Sequence, residues 1–149
     1  MADITNKNCQ VPGVNQDTNF MKQRSYCFDG GVVPEIMSTG THNIISVPVG
    51  ECVAKIRVIA LENSTSGGSA TLQFKLSFDG TSEVINSSTI AVGALAAGDV
   101  HEIVVNGIKA YDAAKTPIIQ LVVGSSSFTA MKLLVIVETL PVTEFMTMG

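Results

Sequence analysis

The sequence predicts an all-β chain: an antiparallel β-sandwich or jelly roll of seven to eight strands, preceded by an extended N-terminal arm. Three observations carry this. Val and Ile number 18 and 13 against 8 Leu, beside 13 Thr, 13 Ser and 13 Gly, the composition of sheets joined by small polar turns. Residues 70–78 alternate apolar and polar at a period of two, which puts Leu72, Phe74, Leu76 and Phe78 on one face and Gln73, Lys75 and Ser77 in water. Asp79-Gly80 and Asn106-Gly107 are two-residue hairpin signals.

Residues 1–43 hold 15 apolar residues and are punctuated by Pro12-Gly13, Asp29-Gly30-Gly31, Pro34 and Gly40, with no sustained period. They read as the arm. Residues 44–140 hold 49 apolar residues in 97 and read as the β domain; residues 141–149 form a short tail. Within the domain, 44–49 contains Pro48 and so suits an edge strand. Residues 52–61 are apolar at every even position and carry Lys55 and Arg57 on the odd face. A loop, 63–68, leads to the alternating strand, and Asp79-Gly80 turns it back through 83–85. The stretch 89–99 fits strand, loop or a helical turn equally. Val100–Val105 and Ile108–Tyr111 flank Asn106-Gly107 as a second hairpin. Residues 118–123 and 130–137 are apolar at odd and even positions alike, as in central strands covered from both sides. The expected core includes Phe74, Leu76, Leu133, Val135 and Val137.

Charge and motif content argue against chemistry. Thirteen acids outweigh nine bases without a basic cluster, so no nucleic-acid partner is expected. No apolar run reaches the ~18 residues that span a bilayer, so no membrane partner is expected either. The start lacks the basic and apolar regions of a secretory signal, so Cys9, Cys27 and Cys52 are expected as thiols, and the sequons at Asn63 and Asn86 as loop composition. His42 and His101 have no ligand-spaced company, so no metal and no cofactor are expected. The nearest acidic pair, Asp99 and Glu102, reads as a solvated strand end; no nucleophile elbow or phosphate-binding glycine frame is present. The chain is expected not to be an enzyme.

What the composition leaves to explain is a surface with only 15% charged residues and a 43-residue arm. An arm alone in water does not recover its ordering entropy, about 1–2 kcal/mol per residue, from a few aromatic side chains. Burial against neighbouring subunits answers both points. Phe20, Tyr26 and Phe28 in the arm, with Phe145 and Met146 in the tail, are the candidate partner-interface residues. Removal of residues 1–38 is expected to leave the sandwich folded and to abolish assembly.

The stretches LQFKLSFDGTSEVI (72–85), IVVNGIKAY (103–111) and FTAMKLLVIVETL (128–140), about a quarter of the chain, resemble the small cement or decoration proteins of tailed-bacteriophage capsids. The resemblance implies a non-enzymatic virion protein, assembled in the host cytoplasm and homo-oligomeric. It would bind the outside of the capsid, where the major capsid protein or other shell subunits are its partners. A receptor- or carbohydrate-binding sandwich module of a phage fibre or cell surface is the alternative, though sugar sites favour exposed aromatics and Trp is absent.

Overall fold

The computed structural model describes residues 22–48, 50–78, 81–84, 89–105 and 117–140. In chain order its strands are β1 (Lys22–Asp29), β2 (Gly40–Ser46), β3 (Cys52–Ala60), β4 (Thr65–Ser66), β5 (Thr71–Phe78), β6 (Thr81–Val84), β7 (Ile90–Ala91), β8 (Val100–Val104), β9 (Ile118–Gly124), β10 (Phe128–Ala130) and β11 (Lys132–Leu140). Eight of them make two sheets: sheet I in the order β1-β11-β3-β8 and sheet II in the order β2-β9-β5-β6, with β7 added beside β5. All pairings within these sheets are antiparallel.

The order is that of one long hairpin rolled up. From the β5–β6 turn outward, β3 pairs β8, β2 pairs β9 and β1 pairs β11, and the chain steps between sheets at nearly every connection. Two four-stranded sheets wound this way are a jelly roll. The expected fold class is therefore the observed one, and the register Phe78↔Thr81 closes the first hairpin where Asp79-Gly80 predicts it.

Alternation builds the core. Leu72, Phe74 and Leu76 of β5 join Ile119, Leu121 and Val123 of β9 on the inner side of sheet II. Ile56 and Val58 of β3 and Leu133, Val135 and Val137 of β11 line the inner side of sheet I. All five expected core positions are buried, Phe74 completely. Gln73 and Lys75, expected in water, are half-buried, and Ser77 is buried.

Two expectations need correction. First, β9 and β11 are central within their sheets, yet each buries only alternate residues and leaves the others half-exposed. Nothing among the described residues covers their outer sides, so apolar character on both faces does not here mean burial on both faces. Second, residues 22–43 do not stand off as an arm. β1 lies along β11 through eight continuous pairs, Lys22↔Thr139 to Asp29↔Lys132, and the 43/44 boundary falls inside β2. Ile36, in a 3-10 turn over Pro34–Met37, is buried in the core. Deletion of residues 1–38 would thus uncover β11 and open the core. Residues 1–21, the Asn106-Gly107 hairpin turn with 108–111, and the tail 141–149 lie outside the described residues. The undecided stretch resolves into β7, a 3-10 turn over Val92–Ala94, and a turn leading to Asp99, with Leu95 buried.

An ionic clasp explains how a strand reading KQRSYCFD enters a sandwich. Arg24, Tyr26 and Phe28 point to the core side of β1. Arg24 reaches Glu51, just ahead of β3, with Nη1 donating to Oε1 at 2.8 Å and Nη2 to Oε2 at 3.1 Å. Thr139 on β11 donates its hydroxyl to the same carboxylate, and Lys22 Nζ lies 3.5 Å from Oε2. The Arg24 hydrogen bond holds the Glu51 carboxyl down to about 2 against the penalty of burial, with help from Thr139 and Lys22. A buried carboxylate with every oxygen engaged is stable where an unpaired one would not be. Gly30 closes the strand: its N–H donates to Met131 O at 2.8 Å, and a side chain there would collide with Met37.

Candidate functional site

The outer side of sheet I is the most distinctive surface described. Register assembles it from residues far apart in sequence. Val100 lies opposite Ile59, Ile59 opposite Leu134, and Leu134 opposite Cys27, which makes one row across all four strands. Leu61 continues β3 past this row, donating its N–H to Lys132 O at 2.8 Å, and Ile136 lies two residues along β11 from Leu134. Val100 is 52% exposed and Leu61 43%; Ile59, Leu134 and Ile136 are half-buried by one another. Val104, 76% exposed, ends β8 on the same side.

Charged pairs frame the apolar row. Arg57 Nη2 lies 3.0 Å from Glu102 Oε1 and Lys55 Nζ 4.0 Å from the same atom. Lys132 faces Asp29 at 3.9 Å, and Gln23 reaches Glu138 at 3.5 Å. Most of these charges answer one another within the face, while Glu138 is met by the neutral Gln23 amide. An apolar patch with a polar frame on an open sheet is the form an interaction surface takes.

Sheet II presents a different outer side. Asn43 accepts from Gln120 Nε2 at 2.8 Å, and Thr41, Gln73, Lys75 and Ser46 surround that pair.

Of the candidate interface residues, Tyr26 and Phe28 lie on the core side of β1, half-buried against the sandwich's own core. Their rings stack with centroids 6.5 Å apart. Phe20, Phe145 and Met146 lie outside the described residues. Each histidine donates from Nε2 to a carbonyl, His42 to Ser38 at 2.7 Å and His101 to Ala94 at 2.6 Å. Asp99 caps its own turn by accepting from Ala96 N at 2.9 Å, while Glu102 turns to Arg57, so the nearest acidic pair is split between two structural tasks. Cys27 is an exposed thiol on β1; Cys52 is buried, and burial pushes its pKa up.

Sequence reasoning missed the apolar row. Its signal is present: Leu134 and Ile136 lie in 130–137, whose two apolar sides predict cover by the same chain, while Ile59 shares its side of the strand with Lys55 and Arg57.

No protein-family model matches this sequence, and no curated protein does. Among solved structures, a chain of the acid-stable capsid of Helicobacter pylori bacteriophage KHP30 is similar over 83% of this chain and 89% of its own, at 14% identity and a TM-score of 0.52. A chain of the capsid of Ralstonia phage GP4 is similar over 87% of this chain and 88% of its own, at 12% identity and a TM-score of 0.48. At 14% identity the likeness to the KHP30 chain is one of fold.

Proposed function

We propose that this chain is a non-enzymatic structural protein of a virion, which binds the outside of a capsid and stabilises contacts between shell subunits. The apolar row across the outer side of sheet I carries the reading: a partner that covers it gains about 25 cal/mol for each Å² of apolar area removed from water. The fold shared with a chain of the KHP30 capsid supports a virion setting. In this reading the shell protein lies against sheet I, while Phe20, Phe145 and Met146 fasten the preceding and following segments to it. Tyr26 and Phe28 serve first as core residues of their own domain and offer a partner only their exposed rims.

The test is co-sedimentation of the purified chain with shells assembled from the major capsid protein of its own virus. Wild type is expected in the pellet, and the double variant Leu61→Asp/Val100→Asp, at the two more exposed positions of the patch, in the supernatant with its melting temperature nearly unchanged. Equal binding by both proteins would move the interface off sheet I. Absence of wild-type binding would overturn the capsid role. Removing residues 1–21 keeps every described strand, and so tests the N-terminal segment separately from sheet I.

A further inference from the structure

We propose that β1 is a pairing edge for a second copy of this chain, the two copies meeting antiparallel about a two-fold axis through Ser25 and joining their first sheets into one. Hydrogen-bond phase sets which backbone groups are offered. Gly30 N bonds to Met131 O, so the even-numbered residues of β1 turn their N–H and C=O groups toward β11. The groups of Gln23, Ser25 and Cys27 then face away from the sheet, and all three residues are exposed.

Among the described residues, this edge lacks the guards that keep edge strands apart. Such guards are prolines, bulges and outward charges, above all lysine. β2, the edge of sheet II, has a register shift between Asn43 and Ile45 and is followed by Pro48. β1 has unbroken register and no proline, and its two cations are drawn inward onto Glu51. What remains along its open side is Gln23, Ser25 and Cys27, none of them charged, with Asp29 at the strand's end facing Lys132 across the sheet.

The strand is also complementary to itself. Rotation about Ser25 sets each residue opposite the one whose number completes a sum of fifty. On the outer side Gln23 meets the partner's Cys27, and Ser25 meets the partner's Ser25, with no like charges opposed. On the core side Lys22 meets the partner's Phe28, and Arg24 meets the partner's Tyr26. Residues 22 and 24 are both cationic and residues 26 and 28 both aromatic, so one operation places every cation over a ring. Arg24 can keep its Nη hydrogen bonds to Glu51 while the face of its guanidinium receives the tyrosine. The half-exposed, stacked rings of Tyr26 and Phe28 are thereby covered. The pairing names one partner within the assembly reading above, yet it requires no shell protein.

The test is sedimentation of the full chain over a wide concentration range. Wild type is expected to dimerise. Ser25→Pro is expected to be monomeric with an unchanged circular-dichroism spectrum, because the lost N–H faces away from β11. Ser25→Lys sets like charges face to face without altering the backbone and is expected to weaken the dimer at least about tenfold. Mild oxidation of Gln23→Cys is expected to link position 23 to the partner's Cys27, read by peptide mass spectrometry. A wild type that stays monomeric, or a dimer that survives both Ser25 variants, overturns the pairing. A linkage at other positions overturns its register. Wild type that is monomeric alone but protected along β1 when shell protein is added would give the edge to that protein instead. A dimer that binds no shell would remove the capsid role and leave the pairing standing.

Discussion

On the outer side of sheet I, Val100, Ile59, Leu134 and Cys27 form one row across four strands. On the outer side of sheet II, Val122 sits between Thr41 and Gln73, and Ile118 between Ser46 and Ser77. Both sheets alternate with the same period and bury their inner residues equally well. The difference lies only in which residues fill the outward positions. In sheet II Val122 and Ile118 each have polar neighbours on both flanking strands, and water satisfies the face. In sheet I the apolar residues touch, so cover from outside removes a contiguous area from water. The fold thus dictates the inner sides of both sheets, and the outward choice separates a contiguous apolar surface from a solvated one.

The largest effect should come where the sheets are alike. Phe74 is fully buried, and Phe74→Ala is expected to cost about 3–5 kcal/mol by denaturant unfolding. A loss below about 1 kcal/mol would show that the inner sides do not share one core. The clasp comes next. Glu51→Gln keeps the shape but removes the charge facing Arg24, and a loss of about 2–3 kcal/mol is expected by the same measurement.

The clasp also sets a pH dependence. The folded Glu51 carboxyl titrates at about 2 against 4.5 for the free group, so its contribution is fully present above about pH 4.5 and is lost as pH falls toward about 2. Melting temperature should therefore decline across that window in wild type and decline less in Glu51→Gln. Parallel curves would remove Glu51 as the cause.

The comparison is sharpened most directly by matched acidic substitutions. Ile59→Asp is expected to weaken shell binding at least tenfold, about 1.4 kcal/mol, while Thr41→Asp on sheet II leaves it unchanged. Equal losses would erase the distinction between the faces. The smallest effect belongs to the frame: Arg57→Ala, which removes a part-exposed pair with Glu102, should change stability by no more than about 0.5 kcal/mol, and less in high salt.

The strands with regular alternation were legible in the sequence because one side chain in two must enter the core. The run 70–78 shows it cleanly, and its expected inward residues Leu72, Phe74 and Leu76 are buried. β1 was not legible, because its inward row opens with two cations, Lys22 and Arg24, and the placement of Arg24 depends on a carboxylate 27 positions away. Nor could sequence tell an outward isoleucine covered by its own chain from one left for a partner, since both give the same pattern at Ile59 and Ile136. The bulge opposite Glu138 and Thr139, where Lys55 and Val53 are successive partners, shifts β3 by one residue and brings Val53 to the core.

The first and last strands described are hydrogen-bonded neighbours, with Arg24 and Thr139 in contact across 115 positions of chain. Contacts so distant in sequence form late and slowly. While the chain is being synthesised, β1 and β3 both wait for β11, the strand that lies between them, and Tyr26 and Phe28 have no sheet to pack on until it arrives. The outer row shares that timing, since Leu134 and Ile136 belong to β11 and Cys27 and Ile59 are aligned only by pairing with it. A nascent or truncated molecule therefore lacks the apolar row. Whatever covers that row can do so only once folding is complete, a checkpoint that follows from strand order alone.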